Sequence, residues 1–163
     1  KSNPTLFEWA ASPIVYMETE FAGQFRNVMN TYFSTKKSLY HYISMAEGNY
    51  REFLRGANVK AKKYFYVMRP VLACRWILEK GTPPPMRFTE LMAAELPGTL
   101  HSEMEHLLEL KMNAPEIKEI PRIDVLNEYL DTSITEIKNL LLDMNDTKKM
   151  EWETLDQMFL EAL

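Results

Sequence analysis

The chain has 163 residues, 46% hydrophobic and 26% charged, with a formal net charge of −4. That is a natural size for one ordered domain with a real core, and the acidic balance excludes a protein that coats nucleic acid generally. A single cysteine, Cys74, excludes an internal disulfide framework or a thiolate metal site and points to a reducing, cytoplasmic setting, while no run approaches the ~18 apolar residues of a membrane span.

The first residues show no signal-peptide pattern and open abruptly on a helix cap, which predicts further sequence ahead of them. Asn3 before Pro4 reads as that cap, with proline in the first helical position of a short helix through Glu8, Trp9, Ala10 and Ala11. Ser12-Pro13 ends it, because the residue before a proline is driven out of the helical region. A second helix is predicted over about residues 18–33, where Phe21, Phe25, Val28, Met29 and Tyr32 recur at helical spacing. Ser34 or Thr35 caps a third, carrying Leu39, Tyr42, Ile43, Ala46, Tyr50 and Leu54 before Arg55-Gly56 closes it. The fourth covers about residues 60–80 and stops at Gly81 and the connector Thr82-Pro83-Pro84-Pro85.

Beyond the prolines, helices are predicted over about residues 89–96 and 99–113, then a linker over 115–121. Long helices follow over about 123–144 and 148–163, the last capped by Asp146-Thr147. No period-two strand longer than a few residues occurs, and no internal repeat. The expectation is an all-α fold, a bundle of about six to eight helices. Residues 1–82 form a helical domain containing the basic helix 60–80, and residues 83–163 an acidic helical extension packed on the same bundle, ending in a loosely attached hairpin.

Charge singles out the fourth helix. Residues 59–80 carry six basic groups against one acid, Glu79, a local charge of +5, whereas residues 1–58 sum to +1 and 81–163 to −10. Several chemistries fail on spacing. His101 and His106 stand five apart, about 140° around a helix, where a zinc pair needs i, i+4. Glu103 and His106 make one Glu-x-x-His pair, but a di-iron site needs two and His41 has Ser38 three before it. The five glycines are isolated, so no Gly-rich phosphate loop exists, and no nucleophile elbow is present.

Lys62, Tyr66 and Arg69 are spaced i, i+4, i+7 and stack on one helix face, with Lys63 and Tyr64 bordering it. Lysine offers a mobile point charge to phosphate, arginine a planar fork, and tyrosine a hydroxyl or a stacking plane. Phe65, Met68, Leu72 and Ile77 give the opposite face to the core. Pro70 removes the amide that would bond to the Tyr66 carbonyl, which predicts a bend there. The structural alternative is that Lys62 and Arg69 lie over a tyrosine-covered core and meet acids from the C-terminal helices.

The blocks Asn3-Pro4-Thr5-Leu6-Phe7-Glu8-Trp9, Ser12-Pro13-Ile14-Val15-Tyr16, Lys62-Lys63-Tyr64-Phe65-Tyr66-Val67-Met68-Arg69-Pro70 and Gly81-Thr82-Pro83-Pro84, in that order, resemble one family. It is the predicted nucleotidyltransferases of the DNA polymerase beta superfamily, the bacterial and phage type sometimes found beside RNA-repair ligases. The resemblance covers roughly residues 1–95, most specifically in the Asn-Pro and Lys-Lys-Tyr-x-Tyr blocks. It implies a compact α/β head with a Gly-Ser turn, an Asp-x-Asp pair and a third acid binding divalent metal, followed by a helical part. Here no glycine precedes serine, and the aspartates 124, 131, 143, 146 and 156 form no Asp-x-Asp.

The resemblance therefore implies the helical part of such a protein, without catalytic residues of its own. Mg²⁺ is expected in the head and a nucleoside triphosphate as the ligand shared with it. Lys62, Lys63 and Arg69 would neutralise the triphosphate, and Tyr66 would hydrogen-bond or stack on the nucleotide. The acceptor, whether protein, RNA or small molecule, is left open. The rival expectation is a non-catalytic helical protein-interaction module with a structural basic helix. A helical ribonuclease of the kind often paired with nucleotidyltransferases would need an arginine shortly before a histidine, and His41, His101 and His106 all lack one.

Overall fold

A computed structural model describes residues 4–113, 119–145 and 152–161. The caps read at Asn3 and at Asp146-Thr147 lie outside the described residues. Within them the chain is mainly helical: α1 (Pro4–Ala10), α2 (Glu20–Thr31), α3 (Thr35–Phe53), α4 (Ala61–Lys80), α5 (Phe88–Glu95), α6 (His101–Asn113), α7 (Asp124–Asp143) and α8 (Glu153–Glu161). This is the all-α bundle that the periodicity predicts.

Local chemistry sets the boundaries. Ser34 caps α3 by accepting a hydrogen bond from the Lys37 amide at 3.3 Å, and Thr19 caps α2 by accepting from Ala22 at 3.2 Å. Gly81 ends α4 with φ of 66°, the left-handed conformation that glycine adopts without steric cost. Thr82 then accepts the Trp76 indole N–H at 3.1 Å, folding the start of the proline connector back on the helix.

α4 runs through the centre and packs on α3, α5, α6 and α7. Eleven of its twenty residues are buried, among them the expected Phe65, Met68, Leu72 and Ile77, so its polar groups are confined to narrow strips. The helix runs unbroken through Pro70. The carbonyl that Pro70 deprives of a partner, that of Tyr66, accepts from the Asn49 amide of α3 at 3.5 Å. A buried polar network fixes the start of α4. The Tyr64 hydroxyl donates to Asn127 Oδ1 at 2.7 Å and accepts from the Ile123 amide at 2.8 Å, and Asn127 Nδ2 donates to the Leu54 carbonyl at 2.7 Å. Burial pushes the Tyr64 phenol above its ordinary pKa, so it stays protonated. Tyr64 is fully buried and does not border the basic face, a correction to the sequence reading.

Two further features depart from expectation. Residues 119–121, read as linker, form β2 (Glu119–Pro121), antiparallel to β1 (Asn58–Lys60) with Val59 opposite Ile120. Three-residue strands are too short to leave a period-two signal. α7 is no loose appendage: Leu126, Leu130, Ile137 and Leu141 are buried in the same apolar cluster as α3 and α4. α8, by contrast, buries no residue among those described.

Candidate functional site

The strip on the N-terminal half of α4 holds the only side chains of residues 61–70 that are not buried: Lys62, Lys63, Tyr66 and Arg69. Lys62, Tyr66 and Arg69, at i, i+4, i+7, share one face with Lys63 at its border, because the other sides of α4 meet neighbouring helices. Tyr66 is exposed and the three cations are half-buried.

Each cation is held differently. Lys63 Nζ lies 3.4 Å from the centre of the Phe53 ring and 4.7 Å from that of Tyr66. Two aromatic faces stabilise its charge without neutralising it, and it makes no ion pair among the described residues. Lys62 sits beside it, itself engaged. Arg69 reaches α1 and the proline connector: Nη2 donates to Glu8 Oε1 at 3.2 Å and Nη1 to the Met86 carbonyl at 2.7 Å. The acid that meets Arg69 thus comes from α1, not from the C-terminal helices. A guanidinium has five N–H donors, so three remain beyond these two contacts.

Glu8 Oε1 also accepts the Tyr42 hydroxyl of α3 at 2.7 Å. Burial, then this bond to a carboxylate, raises the Tyr42 pKa far above its ordinary value, so the phenol acts purely as donor. Phe7 anchors α1 in place by packing edge-on against Phe33, with ring centres 5.2 Å apart. Glu8, Tyr42 and Arg69 line a cleft of about 80 Å³ together with Thr5, His41, Met45 and Pro70. That is room for a few waters and too little for a nucleotide. A larger ligand would have to lie along the outer strip, touching only the mouth of this cleft.

Met45 joins the cleft to an open groove of about 550 Å³ on α3, lined also by Ser44, Gly48, Asn49, Arg51 and Glu52. Gly48 opens this groove, since a Cβ there would meet nothing within 4 Å. Asn49, bonded to the Met45 and Tyr66 carbonyls, locks the groove to the strip. Sequence periodicity puts Lys62, Tyr66 and Arg69 on one face with Lys63 at its border, but it does not reveal the contacts with Glu8, Tyr42 or Asn49, which lie on other helices. The proline that frees the Tyr66 carbonyl was the one local hint that a donor such as Asn49 must exist.

The C-terminal half of α4 carries a second polar cluster. Arg75 Nη2 donates to the buried Ser133 hydroxyl at 2.8 Å and to Glu136 Oε2 at 3.3 Å, and its guanidinium lies 5.4 Å from the Tyr129 ring centre. Cys74 is buried beside it, and burial raises its thiol pKa well above the ordinary value, which makes it inert. Among the described residues no three histidine, cysteine or carboxylate groups converge as a metal site would require. No described helix is long and apolar enough to cross a membrane.

A family model named RlaP, described as the RNA repair pathway DNA polymerase beta family, matches residues 1–161. The chain belongs to that family. It is also 43% identical, over 167 aligned positions, to a Bacillus subtilis (strain 168) protein described as "Uncharacterized protein YcgL". All of this chain takes part in that alignment, but it spans only 64% of the length of that relative. No solved structure matches the chain. RlaP membership makes the protein a relative of the polymerase-beta-like nucleotidyltransferases. The Asp-x-Asp pair that the resemblance implies for their metal centre is missing from these residues.

Proposed function

We propose that this chain is the helical, substrate-side part of a two-part nucleotidyltransferase, and that its Lys62, Lys63, Tyr66 and Arg69 strip meets the triphosphate of a nucleotide held against a catalytic head. The observation that carries this reading is Lys63. It is a cation on the central helix, its ammonium set against two aromatic rings and in no ion pair among the described residues, beside an exposed tyrosine. Such a charge is kept available for an anion. Arg69 adds three unused donors at the mouth of the cleft, oriented by Glu8 and the Met86 carbonyl. The 64% coverage of the YcgL relative leaves room in the full-length protein for a head of about a third of its length.

Phosphoryl transfer needs metal-held, in-line geometry. On this reading the acids that would hold Mg²⁺ lie in the head; among the described residues no histidine, cysteine or carboxylate cluster that could hold a metal is present. What these residues do is bind and orient: the cations neutralise phosphate oxygens, and Tyr66 offers a stacking face or a hydroxyl. A second reading, a protein-interaction module with a structural basic helix, draws support from Arg69, two of whose donors are already taken within the fold.

Titration calorimetry of a nucleoside triphosphate into the full-length protein separates the two. Arg69→Ala is expected to weaken binding at least tenfold, since a charge-assisted contact is worth about 1.5–3 kcal/mol, and Lys63→Ala to weaken it in a salt-sensitive way. Unchanged affinity in both variants, with the fold intact, would assign the strip to structure alone.

A further inference from the structure

Between α1 and α2 the chain breaks the usual rule for loops. Connecting segments are ordinarily built of glycine, proline, asparagine, aspartate and serine, yet here Ile14, Val15, Tyr16 and Met17 follow one another with exposures of 66%, 59%, 97% and 78%. Leu6 and Trp9, three apart on the outer face of α1, are exposed as well, at 37% and 68%. From Trp9 to Met17 there is no charged residue. The backbone groups of Val15, Tyr16 and Met17 make no hydrogen bond among the described residues. A contiguous apolar run of this kind, with open backbone groups beside it, marks an interaction surface.

We infer that this surface is the seat of the rest of the full-length protein, the portion corresponding to the third or so of the YcgL relative that the chain does not span. The inference rests on reading the chain as one part of a two-part protein, though not on any nucleotide contact. Three observations favour this occupant. The patch lies within residues 1–161, the stretch matched by the family model, beside the start of the chain's match to that longer relative. Its lack of charge suits a permanent contact between parts of one chain better than a transient polar encounter. Its position also links it to the candidate site. Glu8, between Leu6 and Trp9 in sequence, turns inward from α1 to hold Arg69, while the apolar pair faces outward. A domain seated on the outer face of α1 therefore stands one helix away from the cleft.

Hydrogen–deuterium exchange on the full-length protein, compared with residues 1–163 alone, tests this. In the isolated chain the amides of Val15, Tyr16 and Met17 should exchange at coil rates. In the full-length protein, without added nucleotide, they should slow at least tenfold. Ile14→Asp combined with Tyr16→Glu should restore fast exchange there while the α4 amides stay protected, which reports an intact helical fold. Equal exchange in both forms would overturn the inference. So would slow exchange in the isolated chain that grows with protein concentration, since that would make a second copy the occupant. Arg69→Ala should leave the protection of this segment unchanged, so loss of the nucleotide reading and loss of the docking surface are seen separately.

Discussion

Arg69 and Arg75 stand six residues apart on one helix, and each meets a carboxylate, Glu8 at 3.2 Å and Glu136 at 3.3 Å. Their surroundings differ in what is left over. Arg75 uses Nη2 twice, lies against Tyr129, and has its Nε buried without a partner among the described residues. No ligand can reach that donor. Arg69 uses one bond on each Nη and lines an open-mouthed cleft. The contrast shows that a counter-ion does not decide whether a cation is structural. The two differ in that Arg75 keeps one donor, Nε, sealed in packed protein, whereas Arg69 lines a cleft that a ligand can touch.

The largest separation between the two arginines should appear on truncation. Arg75→Ala leaves the fully buried Ser133 hydroxyl without its donor, so unfolding stability should fall by about 1–3 kcal/mol, read as a lower urea midpoint. Triphosphate affinity of the full-length protein should not change. If Arg75→Ala weakened nucleotide binding as strongly as Arg69→Ala, the distinction drawn from their spare donors would be lost.

A milder substitution sharpens the same point at Arg69. Lysine can keep a charge near Glu8 but cannot supply a planar fork that also reaches the Met86 carbonyl. Arg69→Lys should cost about 0.5–1.5 kcal/mol of stability and recover only part of the affinity lost in Arg69→Ala. Full recovery would mean that Arg69 acts as a point charge alone.

The difference between the two halves of α4 was half legible in the sequence. Lys62, Tyr66 and Arg69 follow from i, i+4, i+7 geometry, with Lys63 bordering their face, because a helix puts its local neighbours where the sequence says. The counter-ion of Arg69 does not follow, since Glu8 lies 61 residues away on a helix whose docking depends on Phe7 and Phe33. The acids of the C-terminal helices do meet α4, but at Arg75, through Glu136. Tyr64 was misplaced for a similar reason: its satisfaction comes from Ile123 and Asn127, 59 and 63 residues on. Burial of a tyrosine among lysines is decided by long-range hydrogen bonds that no local pattern records.

Gly48 offers a smaller test on the Arg69 side. Glycine inside a helix costs about 0.5–1 kcal/mol relative to alanine, and nothing within 4 Å of an added Cβ requires it here. Gly48→Ala should therefore stabilise the isolated chain by about that amount in chemical denaturation. If it also weakens triphosphate binding in the full-length protein, the groove beside Asn49 and Tyr66 is in use. A stabilised variant with unaltered binding would confine the site to the strip itself.

The smallest effect belongs to the Arg75 side and appears as pH dependence. Burial, followed by the nearby Glu79 charge, raises the Glu95 carboxyl above its ordinary value of 4.5, with Lys80 and Arg75 opposing. One Glu95 oxygen is buried without a partner among the described residues. A native pKa above the unfolded one means the fold binds this proton more tightly. Its contribution to stability is complete below pH 4.5 and is lost as pH rises through the native value. At neutral pH the ionised Glu95 is thus a small burden on the fold. Glu95→Gln should raise the denaturation midpoint slightly at pH 7, and the gain should vanish near pH 4. A gain that persisted at pH 4 would assign the effect to packing instead of charge.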